Sequence, residues 1–147
     1  MAFASIAVLS VVAHAHLGED ASSESQDPNW LEGKEAVEAQ DWNRAITALS
    51  KAAAAEPFNA DIHNWLGYAM RKHGDVYAAL ASYKRALMLN PSHRSAHEYI
   101  GEAYLMAGDL LQAEEHLSIL QKLCSPTPCE QLKDLARAIT DYKSRTR

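Results

Sequence analysis

The stretch "WLGYAMRKHGDVYAALASYKRALMLNP", residues 65–91, decides the fold. It holds two apolar-patterned helical runs separated by Gly74-Asp75 and stopped by Pro91. Shifted by 34 residues in either direction, it finds itself again. Gly33, Gly67 and Gly101 align, as do Asp41, Asp75 and Asp109, then Ala45, Ala79 and Ala113. Leu31, Trp65 and Tyr99 match before them, and Leu49, Tyr83 and Leu117 after, with Pro57 and Pro91 closing units. Each unit makes sense as two antiparallel helices, A and B. Gly and Ala sit where the axes approach most closely, because a larger side chain would force them apart, and Leu, Tyr and Trp fill the space between. The aspartates are placed to cap helix B through the free N–H groups of its first turn. Gly74 and Gly108, one residue earlier, can take the left-handed conformation that ends helix A.

The spacing, and above all Trp65 to Pro91, resembles the tetratricopeptide repeat, whose period is 34. The resemblance covers residues 29–123 as three repeats. Ala36 stands where the first would carry an aromatic residue, and Leu120 where the third would carry Ala. It implies an all-α chain: three helix-turn-helix repeats in a right-handed superhelix, with the A helices lining a concave groove that holds proteins or peptides. The concave positions map to Trp30, Lys34 and Val37, to Asn64, Tyr68 and Arg71, and to Glu98, Glu102 and Leu105. Leu132, Ala136 and Ile139 of a following helix are expected to extend the stripe. Some members grip a C-terminal carboxylate with Lys, Asn and Arg. The matching positions here are Trp30, Lys34, Trp65, Ser95 and Tyr99, of which only Lys34 fits.

Beyond the third repeat, "TPCE" (127–130) reads as a helix start, with Thr127 as N-cap, Pro128 first in the helix and Glu130 completing a capping box. Residues 124–147 are therefore expected to form a capping helix over the exposed end of the array. The chain's two cysteines, Cys124 and Cys129, flank this corner. In an oxidising compartment they would pair across it, stabilising by about 2 kcal/mol on a chain-entropy argument. A metal clip would need further ligands, and a redox pair is usually Cys-x-x-Cys.

Residues 2–13 are uncharged and apolar, followed by "AHA", the small residues an export peptidase accepts, so residues 1–15 read as a signal peptide. No Lys or Arg precedes Lys34, so the usual basic start is missing. Residues 16–28 are polar and acidic and are expected to be a flexible linker. The ending "LC....CEQLKDLARAI" also resembles small exported bacterial repeat proteins, so the expected location is the periplasm or outside the cell.

Net charge is -5, with nine acids against three bases between residues 16 and 60. Without a dense basic stripe the chain is a poor match for nucleic acid, and after processing no stable membrane insertion is expected. Seven histidines raise a metal alternative. His93 and His97 have the i, i+4 spacing of a ligand pair, and "HAH" at a processed terminus would bring His14 and His16 to copper. His63 and His97, however, are 34 apart at a packing position. There is no Gly-rich phosphate loop, nucleophile elbow or His-Glu-x-x-His, so no catalytic residues and no cofactor are expected. The expected function is a non-catalytic adaptor or scaffold holding a polypeptide in its groove. Metal handling and a self-assembling scaffold are the alternatives.

Overall fold

The computed structural model describes residues 25–146. The signal-peptide segment, His14, His16 and most of the acidic linker lie outside the described residues. Among the described residues seven α-helices succeed one another: α1 (Pro28–Glu38), α2 (Trp42–Ala55), α3 (Ala60–His73), α4 (Val76–Leu89), α5 (Arg94–Met106), α6 (Leu110–Leu123) and α7 (Glu130–Arg145). They form three hairpins, α1–α2, α3–α4 and α5–α6, stacked as a helical-repeat superhelix, and α7 lies against both α5 and α6. None of the described helices is long and apolar enough to cross a membrane.

The repeated turn chemistry appears as the sequence suggests. Asp41, Asp75 and Asp109 each N-cap a B helix, accepting from the N–H groups of Arg44, Ala78 and Gln112, each at 3.1 Å. Gly74 and Gly108 end their A helices at φ 104° and 82°. In the first repeat the same place is filled by Gln40, held at φ 57° despite its Cβ.

Three features differ from expectation. Residues 25–28, inside the expected linker, are part of the packed structure: Asp27 caps α1, Pro28 is its first residue, and buried Ser25 donates its hydroxyl to Glu56. Helix α7 starts later than expected, at Glu130, with Cys129 rather than Thr127 as N-cap and no side-chain capping bond. The reason is the disulfide. Cys124, which ends α6, is bonded to Cys129 across a Cα–Cα distance of 5.4 Å, so the chain must fold back through Pro126 and Pro128 before it can turn helically.

The third difference concerns the close-approach glycines. A Cβ on Gly33 would meet Leu49 at 2.6 Å, and one on Gly67 would meet Tyr83 at 2.7 Å, both sixteen residues on in the same repeat. At Gly101 the corresponding neighbour is Leu135 of α7, also at 2.7 Å. Leu117, its own repeat's equivalent, is only partly buried, while Leu120 and Leu135 are fully enclosed. The cap helix therefore supplies core that the third repeat does not make for itself.

Candidate functional site: the concave face

The A helices α1, α3 and α5 present their i, i+4 and i+7 residues along one side of the array. Trp30, Asn64 and Glu98 occupy equivalent positions in successive repeats, and all three are more than nine-tenths buried. Each carries a polar group without a partner among the described residues. Trp30 Nε1 and Asn64 Oδ1 are buried without a hydrogen bond, and neither a hydrogen bond nor an ion pair reaches the Glu98 carboxyl. Of two others expected at the groove, Val37 is mainly a core residue, and Leu105 is buried yet borders the open space between α3, α5 and α7. Lys34 lies over the Trp30 ring at 5.6 Å.

Above this floor runs a ladder of aromatic rings. Trp30 meets Trp65 edge-on at 6.0 Å, Trp65 is 6.2 Å from Tyr68, and Tyr68 is 5.2 Å from Tyr99. Arg71 joins them. Its guanidinium sits 5.4 Å from the Tyr68 ring and 5.5 Å from that of Tyr99. Its Nε donates to the Tyr83 hydroxyl at 3.3 Å and its Nη1 pairs with Glu102 at 2.7 Å. Burial opposes its charge, but Tyr83 and Glu102 outweigh that and hold its pKa above the ordinary value. Arg71, expected at the groove, lines the cleft and is also held in the protein's own network, against the rings and Glu102.

Beyond Arg71 the groove opens into a cleft of about 820 Å³ between α3, α5 and α7. Its lining includes Lys72, Glu98, Tyr99 and Glu102, and on the facing wall Asp141 and Tyr142. Burial, reinforced by Glu102 and Asp134, pushes the Glu98 carboxyl up to about 7, so it changes charge near neutrality. Burial likewise lifts the Tyr99 phenol to about 12. The groove positions expected on the cap are corrected. Ile139 is 4% exposed and part of the core, Leu132 packs beside it, and the cleft wall is formed instead by Ala138, Asp141, Tyr142 and Arg145. These were missed because α7 does not keep the repeat register: Leu135 falls where a fourth repeat would place its glycine. The buried side of α7 is marked by Leu135 and Ile139.

His63 and His93 are engaged separately, whereas His97 and His116 meet. His93 N-caps α5 and bonds through Nε2 to Asp61 at 2.9 Å. His63 and His97 each turn Nε2 to the carbonyl of a proline six residues earlier, Pro57 and Pro91, as their shared packing position suggests. His97 Nδ1 lies 2.9 Å from His116 Nδ1. Since His97 Nε2–H donates to the Pro91 carbonyl, the neutral ring accepts at Nδ1 and His116 donates. Burial, then His97 and Lys84, lower the His116 pKa to about 4, and burial lowers that of His97. Among the described residues no three His, Cys, Asp or Glu side chains converge as a metal site.

A family model for the tetratricopeptide repeat matches residues 31–87 and again 69–126. In sequence the chain is 27% identical over 130 residues to Superkiller protein 3 of Saccharomyces cerevisiae, covering 85% of this chain and 9% of that protein. The chain spans about a tenth of the length of the curated relatives it matches. In structure it is similar to the Yersinia enterocolitica type III secretion chaperone SycD in complex with a peptide of the translocator YopD. That match has a TM-score of 0.73 and 16% identity, over 88% of this chain and 100% of that one. The TPR2B domain of yeast Sti1, in complex with pHsp70, gives a TM-score of 0.73 at 21% identity, over 81% of this chain and 95% of that one. At such identities the likeness concerns the fold.

Proposed function

Because the chain belongs to the tetratricopeptide repeat family, we propose that it is a non-catalytic adaptor that holds a polypeptide segment along its concave face and into the cleft beside α7. The observation that carries this reading is the cleft itself. It is open, about 820 Å³, and walled by rings and charged groups, with a buried carboxyl on its floor that no hydrogen bond or ion pair reaches among the described residues. Native structures leave few buried polar groups without partners, and the Glu98 carboxyl, which lines the cleft, is open to one from a ligand. A polypeptide suits the length and mixed chemistry of the groove. Two solved neighbours of the same fold carry polypeptide partners, SycD a YopD peptide and the Sti1 domain pHsp70, which supports the class of ligand.

The proposal includes export to a bacterial periplasm. It rests on the apolar run at 2–13 with its small-residue ending and on the Cys124–Cys129 bond, which suits an oxidising compartment. Intact mass before and after alkylation of exported protein tests this: two freely reactive thiols would contradict it.

Photo-crosslinkers at Tyr68 and Glu102, compared with Tyr77 and Leu111, test the face. The latter two begin B helices and are 79% and 73% exposed. Polypeptide adducts from the first pair and none from the second are expected. Adducts from Tyr77 and Leu111 alone would mean that the wrong face has been chosen.

A further inference from the structure

The cleft already contains one complete arginine site, built from the chain's own residues. Arg71 lies against two neighbouring tyrosine rings, those of Tyr68 and Tyr99, with Glu102 as counter-charge at 2.7 Å. One turn earlier on α5 stands a second carboxyl, Glu98, with no guanidinium paired to it. Glu98 is 8% exposed and lines the cleft with Tyr99 and Tyr142, and no hydrogen bond or ion pair reaches it among the described residues.

We propose that this end of the cleft receives an arginine side chain of the bound polypeptide, with Glu98 as its counter-charge. The inference rests on the groove reading above and gives the partner a chemical class: a segment bearing an accessible basic side chain.

The charges around Glu98 favour a cation. From α5 it faces Glu102, and from α7 Glu130 and Asp134, all acidic. Asp134 is held by Arg137 on the outer side of α7. Asp141, across the cleft, has no partner on its carboxylate among the described residues. The nearest cation, Arg71 from α3, is committed to Glu102 and Tyr83. Arg145 donates its Nε to the Asp141 carbonyl, and Lys72 lies over the Tyr68 ring at 5.6 Å. Neither forms an ion pair with Glu98. A ligand carboxylate brought here would meet unneutralised acid. A guanidinium would meet a buried carboxylate, which its planar fork of donors matches better than an ammonium does, and tyrosines stand among the lining residues.

The test uses the full chain and three fluorescein-labelled peptides that differ at one central position, arginine, citrulline or glutamate, with aliphatic flanks. Citrulline keeps the shape of arginine and removes its charge. At about pH 8 the arginine peptide should bind at least about tenfold more tightly than the citrulline peptide. The preference should shrink below about pH 6, where Glu98 is protonated. Glu98→Gln should erase it. If that variant does not fold, carboxyl NMR of the unaltered chain serves instead, the Glu98 pKa falling by at least about one unit when the arginine peptide binds. Equal binding of arginine and citrulline peptides with groove resonances perturbed would overturn the inference and leave the groove reading standing, as would tighter binding of the glutamate peptide. No perturbation of the groove by any of the three would remove both.

Discussion

In the second repeat Gly67 packs against Tyr83 of its own B helix, and in the third the equivalent Gly101 packs against Leu135 of α7. The difference extends to charge. The second repeat's perturbed groups, Arg71 and Tyr83, both have pKa values shifted upward, Tyr83 by burial. The third repeat holds a carboxyl, Glu98, raised to about 7, and two histidines, His97 and His116, lowered by burial. An internal repeat is enclosed on both sides by neighbours made to the same pattern. The last repeat has such a neighbour on one side only, and on the other α7 both finishes the core and walls the cleft.

The largest effect that could break this contrast comes from Leu135. It is fully enclosed, and Leu135→Ala should cost about 2–5 kcal/mol, against well under half of that for partly buried Leu117→Ala. Urea unfolding of the two variants compares them directly, and a costlier Leu117 variant would return the third repeat to the pattern of the second.

Next in size are two opposing pH dependences. Glu98 has a folded pKa of about 7, above its unfolded value of 4.5, so the native state keeps its proton longer and stability falls as pH rises from about 4.5 to 7. His116 has a folded pKa of about 4, below 6.5, so its contribution is present above about 6.5 and lost as pH falls to about 4. Each amounts to at most roughly 3 kcal/mol, and in the intact chain they largely offset. Glu98→Gln should stabilise at about pH 8 and hardly at all at about pH 4.5, exposing the histidine slope. Thermal unfolding across that range checks the sign. A Glu98→Gln gain that is the same at both ends would remove the titration from the account.

The smallest prediction sharpens the contrast from the other end of the array. Gln40 holds the left-handed turn that Gly74 and Gly108 hold elsewhere. Gln40→Gly should stabilise by up to about 1 kcal/mol, measured by the shift in urea midpoint, because relief of the Cβ clash exceeds the added unfolded-chain freedom. A loss would mean that Gln40 contributes a contact of its own.

Legibility in the sequence tracks repetition. The hairpins, the three aspartate caps and the glycine turns were legible because each is local chemistry printed every 34 residues. The concave stripe was legible as positions, though not as exposures. Trp30 meets the ring of Trp65 from the next repeat, and Asn64 and Glu98 are likewise buried, which spacing along one helix does not reveal. The commitment of Arg71 depends on Tyr83 and Glu102 meeting it from two other helices. The start and facing of α7 escaped because the disulfide sets the corner before it and no earlier unit shares its register.

Amide hydrogen exchange along α3, α5 and α7 is the most direct test that the cap helix is a working part of the third repeat and its cleft. The amides of Leu135 and Ile139 should open with the same free energy as those of Ile100 and Gly101, and Leu135→Ala should lower both sets together while Leu66 and Gly67 change little. Exchange from α7 as an independent, weakly protected helix, with α5 keeping full protection, would contradict it.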